Sequence, residues 1–118
     1  MNGISVISLA VAASIAATGN GAAVDVGNYH GLCLLTLNAG PTNAGTDTVK
    51  LQHSDDGSTG WADVPGAVFA AVGTSASDQS VLFNADRFKK FVRVVDTLVT
   101  ATSVVRSVSL VGKKQYAF

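Results

Sequence analysis

Between residues 18 and 60 the chain never runs more than eight residues before meeting a cluster of turn formers. These are TGNG (18–21), GNYHG (27–31), GPTNAG (40–45) and SDDGSTG (54–60). Such spacing leaves little room for helices of ordinary length and suits short strands joined by tight connections. Asn20-Gly21 favours the positive φ angles of narrow hairpins, and Pro41 cannot donate to a strand ladder. The acidic residues point the same way. All eight are aspartate, so the chain lacks glutamate, a good helix former.

Between the turns lie apolar or alternating segments: SVISLAV (5–11), AAVDVG (22–27), LCLLTLNA (32–39), TDTVKLQHS (46–54), QSVLFN (79–84), FVRVVD (91–96) and VVRSVSLVG (104–112). WADV (61–64) follows the SDDGSTG turn, then PGAVFAAVGTSAS (65–77) offers a short strand and a loop, and NADRFKK (84–90) suits a brief helical turn. In TDTVKLQHS, Val49, Leu51 and His53 share one face while Lys50 and Gln52 take the other, as in a strand with one buried side. In FVRVVD, Phe91, Arg93 and Val95 share one face and Val92, Val94 and Asp96 the other. About eight short strands predict an all-β, two-sheet sandwich of jelly-roll-like form, with an apolar N-terminal arm or strand. The 118 residues make a single domain, 1–118, in which 1–13 is a possible arm packing on a neighbouring subunit.

That N-terminal stretch, ISVISLAVAASIAA (4–17), has no Lys or Arg before it, so it reads as a strand or arm rather than a signal-peptide core. Fourteen residues are too few to span a bilayer, and no membrane partner is expected. Ile4, Val6 and Leu9 are its candidate contact residues. Apolar residues make up 47% of the chain and charged residues only 14%, against about 25% in an average domain. A chain so poor in charge, with no net charge, is expected to be covered in part by partner subunits.

The zero net charge hides a split. Residues 1–86 hold one base, Lys50, and seven aspartates, while residues 87–118 hold seven bases and one acid, Asp96. The two parts are either neutralised within one fold or made complementary to another molecule. The basic candidates for an interaction surface are Arg87, Lys89, Lys90, Arg93, Lys113 and Lys114.

Signs of catalytic chemistry are scarce. His30, in a glycine-flanked loop, and His53 belong to no Cys/His cluster of metal-ligand spacing, and no nucleophile elbow singles out a serine. Neither a metal, a cofactor nor an enzymatic role is expected. Cys33, the lone cysteine, reads as a small buried hydrophobe. SDDGSTG reads as a hairpin corner rather than a calcium loop, since it lacks the closing bidentate acid. DRFKKFVRVV interleaves bases with Phe88 and Phe91, but those rings are spaced to enter the core and no nucleic acid is expected. Trp61, just past the turn, suits a sandwich-edge anchor better than a sugar platform.

SIAATGNGAAVDVGNYHG, VKLQHSDDGSTGWADVPGAVF, FKKFVRVV and SVSLVGKKQY together span residues 14 to about 114. In these the chain resembles the small head decoration, or cement, proteins of bacteriophages. The resemblance implies a jelly-roll-like sandwich that binds the outer surface of the phage head and strengthens it against internal DNA pressure. Its implied partners are the major capsid protein and further copies of itself, as a homotrimer. Its implied location is the virion surface, after synthesis in the host cytoplasm. The longer apolar start, MNGISVISLAVAA, departs from that pattern. The alternatives are a phage tail or fibre-associated structural protein, or a carbohydrate-binding jelly-roll module.

Overall fold

The computed structural model describes residues 2–27 and 29–115. Nine strands follow one another: β1 (Asn2–Ile15), β2 (Gly19–Asn20), β3 (Val24–Asp25), β4 (Tyr29–Ala39), β5 (Thr46–Ser54), β6 (Ala62–Val68), β7 (Ser77–Asn84), β8 (Phe91–Val99) and β9 (Val104–Gln115). One 3-10 turn, Ala85–Arg87, leads into β8. Asn84 caps it by accepting the Asp86 amide on its side chain at 2.9 Å, which realises the brief helical turn expected there.

The first sheet has the order β1-β9-β4-β7 and the second β2-β8-β5-β6, with β3 also on β8. β2 meets β8 at Asp96 and Val95, and β3 meets it at Val92 and Phe91. The two short strands therefore occupy one position, interrupted at residues 21–23. Counted that way there are eight positions, and they pair first with last, second with seventh, third with sixth and fourth with fifth. That wrapping makes the sandwich a jelly roll, as the sequence predicted.

Alternation places the core between the sheets. Cys33, Leu35, Leu37 and Ala39 of β4 point inward, as do Val49 and Leu51 of β5, Val92 and Val94 of β8, and Val108 and Leu110 of β9. Each such Val or Leu contributes roughly 1.5–3 kcal/mol by leaving water. Residues 2–15 form a strand of this same sandwich, paired with β9 from Asn2↔Gln115 to Ile15↔Val104 with two register shifts between Ser8 and Ala13.

Two segments fold otherwise than their pattern predicts. WADV and the short strand expected in PGAVFAAVGTSAS are one element, because Ala62–Val68 runs through Pro65 as β6. β6 is an edge strand, where a missing N–H costs no ladder bond, and Gly66 with φ 83° takes up the irregular register. His30 is not in a loop: it is the second residue of β4, just before a register shift between His30 and Cys33.

Candidate interaction surface

The antiparallel wrapping sorts the connections to two ends of a body 49 × 28 × 22 Å in extent. One end carries the connections 26–27, 55–61 and 85–90 and the last described residues of β9. The other carries 16–18, 40–45, 69–76 and 100–103. Those four connections contain no ionisable residue, whereas the first end holds Asp25, Asp55, Asp56, Asp86, Arg87, Lys89, Lys90, Lys113 and Lys114. The fold thus gathers exposed charge of both signs at one end, while close to the other Asp78 is the one exposed charge among the described residues.

At the charged end SDDGSTG forms a closed corner. The Asp56 carboxylate accepts from the amides of Ser58 and Thr59, both at 2.9 Å, and from the Thr59 hydroxyl at 2.8 Å. These donors hold its pKa well below the usual carboxylate range, the Thr59 and Ser58 amides most of all. The Ser54 hydroxyl donates to the Thr59 carbonyl and accepts from the amides of Asp56 and Gly57. Gly57 has φ 77°, and a Cβ there would stand 3.1 Å from the Phe91 ring. The corner is folded over Phe91, which corrects the expectation that both phenylalanines enter the core. Phe88 does pack against the core, stacked on Phe83 at 5.0 Å between centroids.

Beside this corner lies a cleft of about 610 Å³ lined by Asp25, Tyr29, His30, Asp86, Lys89 and Lys90, among others. Its acids are engaged by backbone amides: Asp25 accepts from Gly27 at 2.8 Å and Asp86 from Gly31 at 3.2 Å. Lys89 reaches Asp55 at 3.8 Å with both side chains exposed, and Lys90 leans over the Phe91 ring at 5.4 Å. His53 faces inward beside Leu51, accepts the Lys89 amide at 3.3 Å, and is pushed below its ordinary pKa by burial and then by the Lys89 charge. Arg87 and Lys113 are exposed at the same end, and Arg87 sits over the Phe83 ring at 5.9 Å.

The other nominated residues scatter. Arg93 lies on the outer face of the second sheet, stacked on Trp61 at 4.4 Å and donating to Gln52 at 3.0 and 2.7 Å. Gln52 and Lys50 in turn donate to Asp63, at 2.9 and 3.0 Å. One face of the indole is therefore covered by a guanidinium, in keeping with an edge anchor. Val6 is 66% exposed on the outer face of the first sheet, but Leu9 is only 4% exposed. Leu9 packs in this chain's own core, so it offers no surface to a partner. The backbones of Ile4 and Lys114 pair with Lys113 and Tyr29, and their side chains lie outside the described residues.

The inward alternation also carries a cluster that sequence reasoning did not single out. Asp96, 2% exposed, accepts from Nε of Arg106, 6% exposed, at 3.0 and 3.1 Å, and from its Nη2. Asp47 is fully buried, and no described residue donates to either of its carboxylate oxygens. Burial first, then the neighbouring Asp96 carboxylate, pushes its pKa up to about 7. A protonated Asp47 can donate to the Asp96 carboxylate, which an ionised one cannot. The signal was present in sequence, because Asp47 shares the alternation of Val49 and Leu51, and Asp96 that of Val92 and Val94. Among the described residues no group of three or more His, Cys, Asp or Glu is arranged to hold a metal ion.

No family model matches the chain, and no curated protein matches its sequence. Solved structures do share its fold. A subunit of Bacillus endospore appendages, described as disulfide-linked pili, superposes with TM-score 0.60 at 14% identity, over 99% of this chain and 92% of that one. The SPBc2 prophage-derived protein YomS gives 0.55 at 12% identity, over 95% and 96%. A chain of infectious bursal disease virus, Gx strain, gives 0.51 at 13% identity; the match covers 97% of this chain and 33% of the viral one. At such identities the likeness is one of fold. The pilus linkage has no counterpart in this sequence: its one cysteine, Cys33, is 3% exposed, and burial raises its thiol pKa to about 11.

Proposed function

We propose that the chain is a structural subunit of a phage virion, a decoration protein that attaches to the outer surface of the head and strengthens it against internal DNA pressure. The observation that carries this reading is the concentration of exposed charge at one end of a jelly roll. An oriented building block with one end for docking and another, exposing little charge, facing away has this character. Lys89, Lys90, Arg87 and Lys113 are the docking residues, and an acidic patch of the major capsid protein is their partner. Attachment at many lattice points lets modest contacts per copy hold durably. The fold shared with a prophage-derived protein and a virus chain supports the reading by analogy. Neither catalysis nor a cofactor enters it, and the copies act as a trimer on the lattice.

Co-sedimentation with expanded phage capsids tests the proposal. Wild-type protein is expected to pellet with the capsids and to detach as salt rises, and Lys89→Glu with Lys90→Glu to stay in the supernatant. Failure of the wild type to bind, with retention on tail preparations or on glycans instead, would replace this reading with one of the alternatives.

A further inference from the structure

The four edge positions of the sandwich differ in how they meet solvent. β6 carries Pro65 and the positive-φ Gly66; β2 and β3 are two residues each; the second residue of β7 is the exposed Asp78. Each of these blunts an edge against strand addition. β1 has none of them. It is 14 residues long without a charge or a proline. From Asn2↔Gln115 to Ser8↔Ser109 its register with β9 is unbroken for seven consecutive pairs, so its free side is straight there. No described strand lies on that side, and its backbone N–H and C=O groups are an open template.

The outer face says which strand fits. Val6 pairs with Val111, Val111 with Leu34, and Leu34 with Leu82, forming one apolar row across all four strands. Val6 and Leu82, at its two ends, are 66% and 69% exposed. The neighbouring row, Ser8, Ser109, Thr36 and Ser80, is all hydroxyl. An apolar row that stops in mid-air at the open edge is continued best by the same row from another molecule.

We infer that β1 of one copy pairs antiparallel with β1 of a second copy across a two-fold axis, with Val6 opposite Val6. The two sheets then join into one of eight strands, and the two apolar rows into one of eight residues. An uncharged strand does not repel its own copy. A head-to-tail contact would need a second open edge, which the other three positions do not supply. The inference does not depend on the capsid reading, and the trimer proposed above would use other surfaces.

Light scattering over a range of protein concentrations reads the pairing directly. Wild type is expected to approach twice the 12.0 kDa chain mass. Val6→Lys and Val6→Asp, at a site exposed enough to spare the fold, are each expected to weaken self-association roughly tenfold by setting like charges opposite. Mixing the two variants is expected to restore pairing as a heterodimer, which no effect on folding alone can imitate. Leu82→Lys, at the far end of the row, is expected to leave the dimer intact. A wild type that stays monomeric, a mass of three chains insensitive to Val6, or equal loss with Leu82→Lys would each overturn the inference; the last would indicate face-to-face packing. Capsid co-sedimentation of Val6→Lys separates the two proposals, since attachment through the basic end survives loss of the edge contact.

Discussion

The two ends of the sandwich are built from the same residue types and use them in opposite ways. At one end the charges are exposed and their pairings loose, as in Lys89–Asp55 at 3.8 Å. Towards the other end, apart from Asp78, every charged side chain is buried: Asp47, Asp96 and Arg106. An exposed charge is solvated whether or not it finds a partner, so it sets what the protein meets and little of its stability. A buried charge has only the neighbours the fold supplies, so it sets stability and leaves no mark on the surface. One end is therefore legible through binding, the other through folding.

The largest expected effect belongs to Arg106. Arg106→Leu leaves Asp96 without its cation beside a second buried carboxyl, and removing one partner of a buried pair costs about 3–5 kcal/mol. Urea denaturation at pH 7 is expected to show a loss of that size. A loss under about 1 kcal/mol would mean that the cluster is solvated after all.

Glycines of equal φ sharpen the contrast at the two ends. Gly45, in a neutral-end connection, has φ 71°, and a Cβ there would lie 2.1 Å from the Val99 carbonyl oxygen. Gly60, at the charged end, has φ 69° with nothing within 4 Å of its would-be Cβ. Gly60→Ala is expected to cost about 1 kcal/mol, the strain of the left-handed region alone. Gly45→Ala adds a clash with backbone and is expected to cost roughly 3 kcal/mol. Thermal melts of the two variants side by side check this, and equal costs would mean that the Val99 backbone gives way at Gly45.

Asp47 supplies the pH dependence. Its folded pKa, about 7, lies above its ordinary value of 3.8, so the folded state holds the proton more tightly than the unfolded chain. Its contribution is fully present below pH 3.8, declines as pH rises towards 7, and is gone above that. Asp47→Asn keeps a donor for Asp96 without the charge. Relative to wild type it is expected to gain stability from pH 4 to pH 8, by on the order of 2 kcal/mol after allowing for screening. A constant difference across that range in urea titrations would show that Asp47 does not change protonation.

These features were not equally visible in the sequence. The turn clusters and the alternations in TDTVKLQHS and FVRVVD carried the sheet architecture, because a period of two follows from strand geometry itself. The corner at SDDGSTG was readable for a similar reason: Asp and Gly act locally, on amides two or three residues away. What depended on distant partners was not. Leu9 looked like a surface residue of an arm until β9 gave it a sheet to turn inward from. Phe91 looked like core until the corner closed over its outer face. Asp47 and Asp96 were on inward faces by pattern, yet only the wrapping brings Arg106 to them from the other sheet. The gathering of charge at one end is likewise a property of topology, since the contributing segments are far apart in the chain.

The smallest effect on stability belongs to the exposed lysines. Lys89 and Lys90 make one long ion pair and one cation–π contact between them, both at exposed positions. Interactions of that kind contribute about 0–1 kcal/mol and are screened by salt. Lys89→Ala with Lys90→Ala is therefore expected to leave the melting temperature within a few degrees of wild type, at low and at high salt. A large drop would mean that the charged end holds the fold together, and the division between a binding end and a folding end would fail. Unchanged stability with lost capsid attachment would instead place the work of these residues outside the subunit. That is the behaviour expected of a surface whose ammonium groups are kept exposed, beside Asp25, Asp56 and Asp86, which backbone amides already engage.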